Sequence, residues 1–271
     1  MGKCDLCREE TGVLGREHPE CKEAAGRIRE LVRLELQTAG ASDGFGTRYE
    51  QARTAGTHKV IDVTPALEEW KRAVDKALED GILSAEEERR ATEVATAAGI
   101  NQGNAGASWF KLVKAGVLRD VTEGKIPERM KIEGVTANLM KKERSVWFFN
   151  GVQFFEERTS RSFAGVSHGL SIRIAKGLYY RPSMFRGSPI ETTKLVHADN
   201  GGLLITSHHL YFLGARKSFR IPYRKIVAFE PFKDGIGVQR DAMSAKPQIF
   251  KLDDAWFAYN LVSNLAAVGA D

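Results

Sequence analysis

All three cysteines of the chain fall within its first 21 residues, and a histidine stands among them. Cys4 and Cys7 form a C-x2-C pair, and His18 and Cys21 form an H-x2-C pair. No other feature restricts the fold as strongly. An odd number of cysteines does not build a disulfide framework, whereas three thiols and one imidazole supply the four soft donors of a closed tetrahedral metal site. A two-residue gap lets both thiolates reach one ion while the backbone amides of the turn point at the sulfurs. The second pair sits where a helix begins. Pro19 suits the first helical position and Glu20 suits the positive end of the helix dipole. Cys21, Ala25, Ile28, Val32 and Leu36 then recur at helical spacing until Gly40 ends the pattern. The ligand Cys21 therefore lies on the stripe that packs inward, and an ion stands in for a core this segment is too short to build. The expected cofactor is structural Zn2+ on Cys4, Cys7, His18 and Cys21, with Lys3, Arg8, Arg16 and Lys22 placed to offset its net negative charge. The alternative is free thiols on a frayed terminus with His18 at the surface.

The pattern resembles a treble-clef zinc finger over residues 1–40: a C-x2-C knuckle followed by a second ligand pair at the N-terminus of a helix. The resemblance implies a structural ion, since four protein ligands leave no open coordination position. A treble-clef nuclease is disfavoured, because such enzymes keep a further histidine and an asparagine for a separate catalytic metal and this segment has a single histidine.

Residues 41–64 are polar and rich in glycine and read as a linker with at most a short helical turn. Residues 65–127 read as a helical domain. Thr64-Pro65 opens a helix with Leu67, Trp70, Val74 and Leu78 on one face. Asp80-Gly81 breaks it. Ser84 with Glu87 forms a capping box that starts a second helix running to Gly99. A third spans 105–115 and stops at Gly116, and a short fourth spans 117–122. The joint Asp80-Gly81-Ile82 followed by Glu86 is similar to that of tellurite-resistance-type (TerB-like) helical domains. No chemistry is expected there.

From residue 128 to 271 the pattern changes to alternating and β-branched runs bounded by turns. Eleven candidate strands follow one another, with Asn150-Gly151 and Asp234-Gly235 as tight-hairpin signals. One amphipathic helix closes the order from Asp254 to Val268. The run GGLLITSHHLYFLGARKSFRIPYRKIVAFE carries a further resemblance through Gly202, Leu204, Ile205, Thr206, Leu210, Tyr211, Phe212, Ile221, Pro222, Tyr223, Lys225, Ile226 and Val227. It resembles the GRAM-type core of the pleckstrin-homology (PH) superfold, and the order of parts is similar to bacterial proteins that join a short zinc-binding N-terminus to such a domain. The expected fold class is α+β and multidomain: a zinc finger, a helical segment, then a PH/GRAM-like antiparallel β-barrel closed by its C-terminal helix. Eleven strands exceed the seven of such a barrel, so a hairpin or an edge extension is expected in addition.

Charge is uneven. From Glu143 onward there are 17 Lys and Arg against 11 Asp and Glu, so the excess of the net +5 lies in this part. That permits an anionic partner. The resemblance to PH-like domains implies basic residues on loops as candidates for an anion or lipid headgroup: Lys176, Arg181 and Arg186 in one stretch, and Arg216, Lys217 and Arg220 in another. Met184-Phe185 is a candidate apolar tip. A solvated basic surface is the plainer reading of these charges. His208-His209 reads as turn and strand-edge residues. No G-x-S-x-G elbow, Walker motif or dinucleotide loop is present. No apolar run approaches the roughly 18 residues of a membrane span, and no secretory leader is evident at residue 1, so a cytoplasmic protein is expected. The expected function is a non-enzymatic adaptor that docks a protein partner or an anionic membrane surface. The alternative is a nucleic-acid-binding regulator that uses the finger and the basic surface.

Overall fold

The computed structural model describes residues 2–11, 16–38, 44–54, 59–79, 81–162, 172–175, 178–180, 190–242 and 245–268, with side chains of 159–193 left aside. The chain divides into two compact units, Met1–Arg119 and Asp120–Asp271. The sequence reading puts its last boundary at residue 128, within a stretch that has no helix or strand.

The first unit begins with a short antiparallel hairpin, β1 (Gly2–Lys3) and β2 (Glu10–Thr11). Helices α1 (Pro19–Gln37), α2 (Phe45–Thr54), α3 (Thr64–Ala77), α4 (Ala85–Ala98) and α5 (Gln102–Ala105) follow, and α6 (Ala107–Thr122) runs out of this unit. Helix α1 packs against α2, α3 and α4. Cys21, Ala25, Ile28 and Val32 are fully buried, as the periodicity requires. The Ser84–Glu87 capping box is formed, and Gly99 ends α4 in the left-handed conformation with φ 71°. Trp70 is fully buried, donates its indole N–H to the Ala91 carbonyl at 2.7 Å and stacks on Trp109.

Two expectations for this unit are corrected. Residues 41–64 are not merely a linker: they carry α2, whose Phe45 and Tyr49 are buried in the same core as α1 and α3. The polar outer face of α2 hides that role, because only two of its ten residues are buried. Nor does Gly116 stop a helix, since α6 runs through it. A glycine inside a helix costs only about 1 kcal/mol, and the fully buried Val117 holds the turn in place. One apolar cluster extends from Cys4 and Leu6 through Ile28, Trp70 and Val94 to Leu112. The cysteine-bearing segment and the helices thus share a core.

The second unit is a seven-stranded antiparallel sheet in the order β8-β7-β6-β3-β11-β10-β9. Its strands are β3 (Ser145–Ser162), β6 (Ile190–Thr206), β7 (His209–Gly214), β8 (Ser218–Pro222), β9 (Ile226–Phe232), β10 (Gly235–Arg240) and β11 (Gln248–Lys251). A separate hairpin is formed by β4 (Ile172–Ala175) and β5 (Leu178–Tyr180). Two three-stranded meanders are joined through β3, which pairs with β6 on one side and β11 on the other. Helix α7 (Ala255–Val268) packs against β9 and β10 and sends Phe257, Leu261, Val262 and Leu265 inward. Phe257 meets Trp147 edge-on at 4.8 Å, and Phe154, Phe212, Phe219 and Phe250 form a second aromatic group.

The sheet is not closed into a barrel. Edge strands β8 and β9 are joined by a single 3-10 turn, Tyr223–Lys225, yet among the described residues they do not pair. Each carries a proline, Pro222 and Pro231, which has no N–H to give to a ladder. The surplus of candidate strands has a local cause. Asn150-Gly151 does not turn a hairpin but forms a bulge inside one long strand: Phe149 pairs with Leu203 and Val152 with Gly201. Gly151 takes a left-handed φ of 66°, the conformation this kind of bulge requires. The second hairpin signal is real, with Lys233 and Asp234 linking Phe232 to Gly235.

Candidate metal centre

The knuckle is built by local hydrogen bonds. Cys4 N–H donates to the Glu9 carbonyl at 2.7 Å and Arg8 N–H returns to the Cys4 carbonyl at 2.9 Å. The turn is closed by Arg8 in the left-handed region at φ 63°. His18 is the N-cap residue of α1 with extended backbone, and its side chain makes no capping bond. The imidazole faces the thiols instead. Its Nδ1 lies 3.5 Å from the Cys7 sulfur and 3.6 Å from the Cys21 sulfur. Its Nε2 lies 3.1 Å from the Glu10 carbonyl oxygen. A carbonyl only accepts, so Nε2 carries the proton and Nδ1 presents a lone pair to the thiols.

The donor atoms of Cys4, Cys7, His18 and Cys21 all lie within 4.8 Å of one another, a group that could hold a metal ion. Cys4 and Cys21 are fully buried, while Cys7 and His18 are half-buried. Burial would raise the Cys4 thiol, but the backbone N–H groups of Cys7, His18 and Leu6 turn onto its sulfur and bring it down to about 6. Burial, reinforced by the neighbouring Cys7 and Cys4 sulfurs, pushes the Cys21 thiol up to about 12.

The knuckle is also tied to the rest of its unit. Asp62 N–H donates to the Leu6 carbonyl at 2.8 Å, and Arg8 pairs with the Asp62 carboxylate at 2.8 Å. The other oxygen of Asp62 accepts from Thr64 N–H at 2.9 Å at the start of α3. Lys59 reaches Glu9 at 3.8 Å and Glu20 at 3.6 Å. Arg8, expected to balance the thiolates, is therefore engaged with Asp62. Neither Lys59 nor Asp62 stands out in the sequence, because their partners lie far along the chain.

The anion-binding candidates are placed differently. Lys176, Arg181, Arg186 and the Met184-Phe185 tip lie outside the described residues. At the β7–β8 turn, the backbone N–H groups of Arg216 and Lys217 both donate to the Asp199 carboxylate, at 2.7 and 2.8 Å. The Lys217 ammonium pairs with Glu156 at 2.5 Å. Carboxylates of the protein thus already accept the backbone N–H groups of this turn and pair with the Lys217 ammonium, and Arg220 on β8 bonds to Tyr211.

His208-His209 is not simply a turn. His209 is buried and joins a polar network centred on Glu143, whose side chain is 1% exposed. Glu143 Oε1 accepts from His209 Nδ1 at 2.8 Å and contacts the Thr206 hydroxyl. Its Oε2 accepts from Met140 N–H and the Tyr211 hydroxyl, both at 2.8 Å. Tyr223 donates to the Thr206 carbonyl at 2.7 Å. Burial acts to raise the Glu143 carboxyl, but these donors outweigh it and hold it below its ordinary value. Four bonds fill the acceptor sites of a carboxylate, so this group anchors the segment before β3 to the β6–β7 hairpin. No sequence motif announces it, as its side-chain partners lie more than sixty residues away. Among the described residues, no helix is long and apolar enough to cross a membrane. Compared with protein-family models and with curated proteins, the chain matches none of them.

Proposed function

We propose that the chain is a zinc-stabilised, non-enzymatic interaction protein. The observation that carries the reading is the distance between donors. With Zn–S about 2.3 Å and Zn–N about 2.0 Å, tetrahedral angles put a sulfur and a nitrogen on one ion about 3.5 Å apart. Two of the three such separations here, from Cys7 and from Cys21, are 3.5 and 3.6 Å, and all four donor atoms lie within 4.8 Å of one another. Cys4, Cys7, His18 and Cys21 would hold the ion and leave no position for substrate or water, which makes its role structural. The ion would cross-link knuckle and α1 in the manner of a treble clef and brace the helices that share their core.

The second unit would be the docking module. Support for a PH/GRAM-like reading comes from the pairing of its first strand with its last and the single helix after the last strand. A protein partner is favoured over an anionic surface, since the described basic turn is already met by Asp199 and Glu156. A nucleic-acid reading is weakened by α1, where Arg27, Arg29 and Arg33 pair with Glu23, Glu68 and Glu30. The test is metal analysis of protein purified without chelator, followed by cobalt substitution. One equivalent of zinc, and a cobalt spectrum with thiolate charge-transfer bands and tetrahedral ligand-field intensity, are expected. Metal-free protein that is fully folded would overturn the reading.

A further inference from the structure

Helix α7 contains no charged residue in its 14 positions, AWFAYNLVSNLAAV. In a chain that is 28% charged, only about one window of that length in a hundred would lack charge by chance. One face is accounted for by the core. The opposite face is not: Trp256 is 67% exposed, and Ala267 is the only other exposed position of the helix.

These two positions are 11 residues apart, about three helical turns and about 16 Å along one face. Asn260 and Ser263 lie between them at offsets of four and seven, on the same stripe and half-buried. The stripe is self-complementary about its own midpoint. If a second copy lies antiparallel across a two-fold axis between 261 and 262, each Trp256 falls opposite the other copy's Ala267. The largest side chain of the face then meets the smallest, and each Asn260 falls opposite a Ser263. Asn260 already donates an amide N–H to the Trp256 carbonyl at 2.8 Å. Its Oδ1 can accept from the Ser263 hydroxyl of the second copy. Antiparallel helix dipoles favour the same arrangement. A two-fold interface makes each contact twice, i against j and j against i, and the stripe from Trp256 to Ala267 carries no charge that could oppose it. An anionic membrane or a nucleic acid is a poor fit, since the residues leading into the helix are Asp253 and Asp254.

We propose that the outer face of α7 is a homodimer interface in which Trp256 of each chain packs over Ala267 of the other. The inference names a second copy of the chain as one partner of the docking unit and does not depend on the metal site. Trp is the residue type that most often dominates binding energy when enclosed, and the two small residues Ser263 and Ala267 allow close approach of the helices.

The test is sedimentation velocity of the full chain across a concentration series up to about 100 µM, with zinc content measured in parallel. The native chain is expected at twice its 30.0 kDa mass. Trp256→Lys and Ala267→Glu should each raise the dimer dissociation constant at least about a hundredfold while leaving the secondary structure of the monomer, read by circular dichroism, unchanged. Trp256→Ala and Ala267→Trp should each weaken association, and the two combined should restore it, because the large residue again meets the small one. A monomer at the top concentration, a dimer unaffected by Trp256→Lys, or failure of the combined exchange to restore association overturns the proposal. Should a substitution impair folding, fluorine NMR of fluorotryptophan-labelled native chain decides. The Trp256 resonance must shift with concentration while those of buried Trp70 and Trp147 do not, and a Trp256 resonance unchanged by concentration overturns it. Zinc content separates this outcome from failure of the metal reading.

Discussion

Arg8 and Asp62 are 54 residues apart in the chain and 2.8 Å apart in space. The pair joins the residue that closes the cysteine knuckle to the residue whose carboxylate accepts the Thr64 N–H at the start of α3. A metal site of this kind is usually pictured as a small independent module. Here the candidate ligands Cys4 and Cys21 belong to the same apolar cluster as Ile61, Trp70 and Val94.

Chelation of the metal is therefore expected to destabilise the whole unit Met1–Arg119 and not residues 1–40 alone. The zinc-binding free energy of a structural site, about 10 kcal/mol or more, would be shared by every element packed on the knuckle. Hydrogen exchange with and without chelator should show protection lost together in α1, α3 and α4 and retained in β3, β6 and α7. Loss confined to residues 1–40 would contradict the shared core.

Asp62→Ala should cost more than Arg8→Ala. The ion pair is exposed on the arginine side and contributes about 0.5 kcal/mol, while Asp62 also satisfies an N–H at the start of α3, a bond of about 1 kcal/mol. Urea denaturation of the two single variants and the double variant gives both quantities. Equal losses would mean that the cap contributes nothing.

Glu143 makes the second unit sensitive to acid. Its donors hold the carboxyl below its ordinary value of 4.5. The stability they provide is complete above that pH and is lost as the pH falls through the lower folded value. Glu143→Ala should cost about 3 kcal/mol, since it strands the buried Thr206, His209 and Tyr211 groups. Glu143→Gln should cost less and flatten the acid limb of the pH profile. An unchanged limb in Glu143→Gln would assign acid sensitivity to other carboxylates.

Gly151 holds the bulge in β3 at φ 66°, and no atom lies within 4 Å of the place its Cβ would occupy. Gly151→Ala therefore isolates backbone strain from crowding and should cost about 1 kcal/mol. A comparison with Gly202→Ala, where the new Cβ would strike the Phe148 ring, should show a larger loss by thermal melting.

The sequence by itself determined features whose causes are local. The four soft donors are set by two short spacings and a helix start. The Ser84–Glu87 box and the Gly99 cap lie within one turn of what they cap. The inward stripe of α1 follows from its period. Tertiary structure decided what depends on distant partners. Asn150-Gly151 can serve a hairpin or a bulge equally well, since both need a positive φ, and only the long partner strand β6 selects the bulge. Phe45 and Tyr49 look like stray apolar residues in a polar stretch until α1 and α4 close over them. Glu143, His209 and Tyr211 become one network because the sheet brings together groups that the chain keeps more than sixty residues apart. A buried carboxylate persists only where folding supplies several donors at once.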